Sequence, residues 1–265
     1  MGASGAQSET NGEEMTSTTD TRALEGRVAF ITGAARGMGR AHAFELADRG
    51  ARVAVVDLDG REAEEVARDV RARGGEALAF GVDVTDRAAV ESAVAKTAAA
   101  WGRFDILVSN AGIINDFSTL ADTDDAEFHR QIAINVDGLL HASRAALPWL
   151  ERSPAGRIIV VSSFWAQMVV GHSYGYVAAK AATMAMARNL AVELTPKGIL
   201  VNAIAPGSVA TRMIPDPAKE LELYPIPVGR MAEPEEISKL VAFLAGDDAG
   251  FISGQVISPN GGAHV

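Results

Sequence analysis

The chain contains no cysteine, which excludes disulfides, thiolate metal sites and a cysteine nucleophile at once. No stretch approaches the ~18 consecutive apolar residues of a membrane-spanning helix. The amino terminus also lacks the basic-then-apolar pattern of a secretory leader. Basic charge is scarce: 24 Lys and Arg face 34 Asp and Glu, a net charge of −10. That balance disfavours nonspecific contact with nucleic acid or anionic membrane, and no run of Lys and Arg offsets it. His42, His129, His141 and His172 have no metal-ligand spacing, so surface or packing roles are expected and no metal site. These absences point to a cytoplasmic protein acting on small molecules.

What is present is an ordinary globular composition over 265 residues, long enough for one sizeable core. Residues 1–25 are the exception. They are rich in Ser, Thr, Gly and Glu with few apolar residues, and cannot offset the entropy of ordering. They read as a disordered tail, with Met15 an alternative start, ahead of a single domain over 26–265. Within that domain, short apolar runs at 28–32, 52–56, 77–81, 106–109, 157–162, 199–204 and 255–258 alternate with helical stretches. The helices are expected at 38–49, 61–73, 87–101, 124–150, 176–194 and 234–245. Continuous apolar strands between amphipathic helices predict an α/β fold, a doubly wound parallel sheet covered on both faces (a Rossmann fold). Gly50, Gly74 and Gly198 fall just past helix ends, where left-handed caps belong.

In such sheets ligands bind beyond the carboxyl ends of the strands. The first strand runs into Gly33, Arg36, Gly37, Met38 and Gly39, a turn whose backbone N–H groups can approach an anion. The helix that follows directs its positive end at a pyrophosphate. Asp57 ends the second strand, 18 residues beyond Gly39, where a carboxylate accepts from ribose hydroxyls and repels a 2′-phosphate. Arg36 favours the opposite, but the carboxylate would first have to be neutralised, so NAD is expected over NADP.

Tyr176 and Lys180 lie one helical turn apart on one face. An ammonium there lowers the phenol pKa, and the charge of an oxidised nicotinamide adds to it, making tyrosine a usable acid–base. Ser163, thirteen residues earlier at a strand end, can hold a substrate oxygen beside the tyrosine. Its neighbour Ser162 is the alternative, since alternation lets only one of the two face the site.

With these motifs in order, the chain resembles the short-chain dehydrogenase/reductase family, in its 3-oxoacyl-reductase-like branch, over about residues 26–262. The resemblance rests on Thr32-Gly33-x-x-x-Gly37-x-Gly39, Asp83-Val84, Asn110-Ala111-Gly112, Asn135, Ser163, Tyr176-x-x-x-Lys180 and Pro206-Gly207. Ser109 stands where the family often has a further asparagine. The resemblance implies that Asp83 and Val84 hold the adenine, and that Asn110 braces the central strand beside the cofactor. It implies that Asn135 joins a proton relay through a water to Lys180, which also binds the nicotinamide ribose. Tyr176 would be the acid–base and Ser163 would polarise the carbonyl. Pro206, Gly207, Val209 and Thr211 would contact the nicotinamide end. It further implies a homotetramer built on 124–150, 176–194 and the last strand.

For the substrate, Phe164, Trp165, Met168, Ile114 and Phe117 are expected in the pocket wall. Met213, Ile214, Leu221 and Tyr224 follow from the proline-punctuated segment after Thr211, read as a mobile loop. An NAD-dependent dehydrogenase of a hydrophobic secondary alcohol or ketone is the leading expectation. A 3-oxoacyl thioester reductase using NADPH is the alternative, with Arg212 as its anion contact. A non-catalytic dinucleotide-binding regulator is the reading from another class.

Overall fold

The computed structural model describes residues 22–115, 117–168, 170–214 and 216–264. Seven strands, β1 (Val28–Thr32), β2 (Arg52–Asp57), β3 (Ala77–Gly81), β4 (Ile106–Ser109), β5 (Arg157–Val161), β6 (Leu200–Ile204) and β7 (Val256–Ile257), form one sheet in the order β3-β2-β1-β4-β5-β6-β7. Every pairing is parallel. Among the described residues, eight α-helices accompany them: α1 (Gly37–Asp48), α2 (Gly60–Ala72), α3 (Arg87–Trp101), α4 (Asp125–Ile132), α5 (Gly138–Leu150), α6 (Tyr174–Leu194), α7 (Pro217–Leu223) and α8 (Pro234–Ala245).

Strand alternation explains the two cores. Ala29 and Ile31 of β1 pack on one face with residues of α1, α2 and α8, while Phe30 between them packs on the other with α3, α5 and α6. Both faces are covered, so β1 is buried along its whole length and reads as a continuous apolar run. α2 fits its place by spacing: Ala63, Val66, Ala67 and Val70 are its buried residues, a helical stripe. Asp59, Asp86 and Asp124 cap α2, α3 and α4 by accepting from first-turn N–H groups.

Three expectations need correction. The helix foreseen over 124–150 is interrupted by a π-helical turn, Ala133–Asp137, between α4 and α5. The segment after Thr211 is not all loop: Asp216 caps α7 by accepting from Lys219 N at 3.0 Å, and Pro217 opens it. At the other end of the chain, the tail assigned to 1–25 reaches too far. Leu24 is fully buried and its N–H donates to Arg49 O at 2.9 Å. Residues 1–21, including Met15, lie outside the described residues.

Candidate active site

The strand order reverses between β1 and β4, and their carboxyl ends meet in a groove. Asn110 pins the two together: its Nδ2 donates to Thr32 O and Gly33 O, both at 3.0 Å. Thr32 Oγ1 accepts in return from Asn110 N at 3.1 Å and Ala111 N at 3.0 Å. At Gly39 any Cβ would lie 2.1 Å from Gly33 O, so only glycine lets α1 start this close to β1. Gly37 has φ +50°, and a Cβ there would press on Thr211 at 3.3 Å. α1 differs from α2, α3 and α4 in that its first turn carries neither a capping side chain nor a carboxylate. Its N–H groups therefore face the groove with the positive end of the helix dipole, an arrangement that suits a phosphate.

Beside that turn lies a cluster of one cation and three acids. Asp57 accepts from Ala35 N at 3.0 Å and from Asp59 N at 3.2 Å. Arg36 forks onto both carboxylate oxygens of Glu62, and Asp59 stands 3.8 Å away. The Glu62 hydrogen bond raises the Arg36 pKa, and Arg36 holds the Glu62 carboxyl below its usual range. Asp83 closes a local turn on Thr85, and Val84 is buried against Gly138.

At the end of β5 the two serines divide. Ser162 Oγ donates to Lys180 O at 2.8 Å and so turns to the α6 backbone. Ser163 Oγ instead accepts from Trp165 N at 3.2 Å and lines the same cavity as Tyr176. Burial pushes the Tyr176 phenol above its ordinary range, and only Ser163 pulls it back. This differs from the expected lowering by Lys180, whose Nζ donates to Val161 O at 3.0 Å and lies 5.7 Å from the Tyr176 ring centroid. Burial also brings Lys180 down to about 8. Asn135 sits in the π-helical turn, where its Nδ2 donates to Gln131 O at 2.9 Å and Ile113 O at 3.2 Å. A Cβ at Gly112 would be 2.4 Å from Asn135 Oδ1 and 3.0 Å from Lys180 Nζ, so the amide oxygen and the ammonium converge on that glycine.

Ser163 and Tyr176 open onto a cavity of about 410 Å³. Met38, Pro206, Gly207, Val209 and Thr211 line it on the groove side. Trp165 is the centre of the far wall, with its ring centroid 6.0 Å from Tyr176, 5.7 Å from Tyr224 and 5.3 Å from His172.

The comparisons agree with this geometry. The sequence profile described as Enoyl-(Acyl carrier protein) reductase matches residues 33–264. The chain is 35% identical over 251 residues to the 3-oxoacyl-(acyl-carrier-protein) reductase of Thermotoga maritima, covering 91% of this chain and 99% of that one. It is 38% identical to the cis-4-hydroxycyclohexanecarboxylate dehydrogenase of Sinomonas cyclohexanicum, over 89% of this chain and 96% of that one. The solved structure of a 7α-hydroxysteroid dehydrogenase with NADH and 7-oxo glycochenodeoxycholic acid superposes with a TM-score of 0.87 at 32% identity. That match covers 92% of this chain and 96% of the other. The chain belongs to the short-chain dehydrogenase/reductase family.

In this short-chain oxidoreductase the pocket wall departs from expectation at four points. Leu221 and Met168 do not line the cavity, because α7 turns Lys219, Glu220 and Leu223 toward it, while Met168 packs behind the wall. Arg212 is exposed and outside the lining, its charge felt instead by Glu62. His172, read from the sequence as a surface or packing residue, lines the cavity and bonds Tyr224 OH through Nε2 at 2.9 Å. Glu62 and Glu220 were missed altogether, since a carboxylate in a helix normally reads as solvated surface. Only the Asp216-Pro217 start signal could have placed Glu220 on a helix facing the site.

Proposed function

We propose that this chain is an NAD-dependent oxidoreductase that interconverts a hydrophobic secondary alcohol and its ketone. The observation that carries the reading is the hydroxyl pair Ser163–Tyr176 in the wall of an apolar cavity, with Lys180 one turn along the same helix. NAD, when bound, supplies the hydride acceptor, and its reduced form the donor in the reverse direction. Tyr176 takes the proton of the substrate hydroxyl in oxidation and returns it in reduction. Ser163 donates to the substrate oxygen and stabilises charge developing there. The Tyr176 phenol, raised by burial, needs nearby positive charge to ionise, which the oxidised nicotinamide would supply, with the Lys180 ammonium one turn along α6. Asn135 and Lys180, which converge at Gly112, would connect Tyr176 to a water held at the Asn135 turn, and that water passes the proton on toward solvent.

The residues present fit the dinucleotide. Gly33, Arg36, Gly37, Met38 and Gly39 would cradle the pyrophosphate at the uncapped start of α1. Asp57 would take the adenosine ribose, and Asp83 with Val84 the adenine. Asn110, Ala111, Gly112, Tyr176 and Lys180 would hold the nicotinamide ribose, and Pro206, Gly207, Val209 and Thr211 the carboxamide. NAD is favoured over NADP because Arg36 is already engaged by Glu62, with Asp57 and Asp59 beside it. Three carboxylates against one guanidinium repel a 2′-phosphate.

Titration of NADH and NADPH against the wild type and Asp57→Ala tests the cofactor reading. Tighter NADH binding is expected, with the preference reduced about tenfold in the variant, the worth of one charged hydrogen bond. Tighter NADPH binding by the wild type would overturn it. That outcome would favour the second reading, a 3-oxoacyl thioester reductase, which the name of the Thermotoga relative supports. The proposal extends to a cytoplasmic homotetramer, the assembly suggested by the family resemblance.

A further inference from the structure

α7 brings a carboxylate into the lining of the cavity that also holds Ser163 and Tyr176. Glu220 is half-buried in the lining, and its Oε1 accepts from Ser208 Oγ at 2.5 Å. Ser208 is itself buried and follows Gly207 in the cavity wall. Glu220 is therefore held inward rather than released to solvent. The other polar side chains of the far wall are engaged with one another: His172 bonds Tyr224 OH through Nε2 and Ser173 Oγ through Nδ1. The charged side chains of the lining are Asp216, Lys219 and Glu220, two acids against one exposed lysine. The Trp165 ring, in the same lining, stands edge-on to Tyr176 at an interplanar angle of 86°.

We propose that Glu220 is a specificity-determining residue that reads a hydrogen-bond donor, a hydroxyl or an ammonium, on a ring-bearing ketone remote from its carbonyl. The inference rests on the oxidoreductase reading and narrows its substrate class. A ring packs on Trp165 with its carbonyl at Ser163 and Tyr176, and its donor meets the Glu220 carboxylate. A hydrogen bond to a carboxylate is shorter and stronger than one between neutral groups. The same carboxylate disfavours substrates that bring a carboxylate of their own or the phosphate of an acyl thioester carrier. Ser208 acts through Glu220 as a positioning residue.

The test compares 4-hydroxycyclohexanone with 4-oxocyclohexanecarboxylate as ketone substrates of the full chain, supplied with whichever of NADH or NADPH it binds. The expected kcat/KM favours the hydroxylated ring at least about tenfold, the range of a hydrogen bond to a charged group. Glu220→Gln narrows that gap and Glu220→Lys reverses it. Ser208→Ala narrows it through KM while kcat is retained. Equal or better use of the carboxylate by the wild type, or a gap unmoved by both Glu220 substitutions, overturns the proposal. If neither ketone is reduced, it is the reaction reading that fails, and calorimetry still decides the role of Glu220. Cyclohexylammonium must then bind more tightly than cyclohexanecarboxylate, with the order inverted in Glu220→Lys. Equal binding of the two, or the same order in the variant, overturns it.

Discussion

Two opposing effects act on the phenol of Tyr176. Burial favours the neutral form, and the Ser163 hydroxyl favours the anion. Because burial is the larger, alcohol oxidation should accelerate with rising pH, as more of the phenol becomes able to accept a proton, while ketone reduction needs it protonated. Lys180, brought down to about 8 by burial, sits one turn along α6 from Tyr176, and the oxidoreductase reading gives it the role of favouring the anion. Replacing it by Met should therefore move the alkaline limb of kcat for oxidation to higher pH, which a steady-state pH profile of both proteins reads directly. An unmoved limb would mean that Lys180 does not act on the phenol. Tyr176→Phe removes the proton carrier itself and should lower turnover by about 10²- to 10⁴-fold. NADH affinity, measured by titration, should fall far less than turnover, because the phenol is one of several groups that would hold the nicotinamide ribose. Unchanged turnover with a proven substrate would end the enzyme reading.

Among the elements, α1 and α8 meet over a buried histidine. His42 is fully buried, its Nδ1 paired with Ser238 Oγ at 2.8 Å and its Nε2 without a partner, and burial lowers its pKa to about 3. In the unfolded chain an imidazole titrates near 6.5. The unfolded state thus binds the extra proton between those values, so stability is full above about pH 6.5 and falls as pH drops toward 3. At pH 5 the loss from this residue is about 2 kcal/mol. Urea unfolding at pH 7.5 and pH 5 should show His42→Gln losing less than the wild type by that amount, and equal losses would refute the assignment. The same helices show what was legible beforehand. β1 to β6 and the body of α1, α2, α3 and α6 followed from apolar runs, helical stripes and caps such as Gly50 and Gly198, because their information is local. The π-helical turn at Asn135 was not legible, since no residue type marks an extra residue in a helix. The Arg36–Glu62 pair and Glu220 were not either, for each depends on two elements meeting: α1 with α2, and α7 with the segment after β6. The sequence favoured Ser163 with Ser162 as the alternative, and the Ser162 bond to the α6 backbone favours the same choice although both serines line the cavity.

At the scale of the whole molecule, the proposed tetramer needs apolar surface to bury, and α5 and α6 carry exposed apolar side chains. Val192 near the end of α6 is 80% exposed and Phe251 is wholly so. The two belong to neighbouring segments, because Ser253 Oγ bonds Thr195 Oγ1 at 2.7 Å. Leu140 on α5 and Tyr174 at the start of α6 are also exposed. Isolated exposed apolar residues are ordinary, but two on linked segments beside the edge strand β7 offer apolar surface that association can bury. If four copies close over these surfaces, light scattering at micromolar concentration should give the mass of four chains. The unfolding temperature should then rise with protein concentration, since assembly stabilises only the folded state. Placing a charge at the centre, Phe251→Asp together with Val192→Asp, should yield smaller species at the same concentration. NADH affinity per chain should be retained, because neither residue lies near the dinucleotide groove. A wild type that scatters as a monomer across the micromolar range would remove the tetramer and leave the cavity, with Glu220 and Tyr176, complete within one chain.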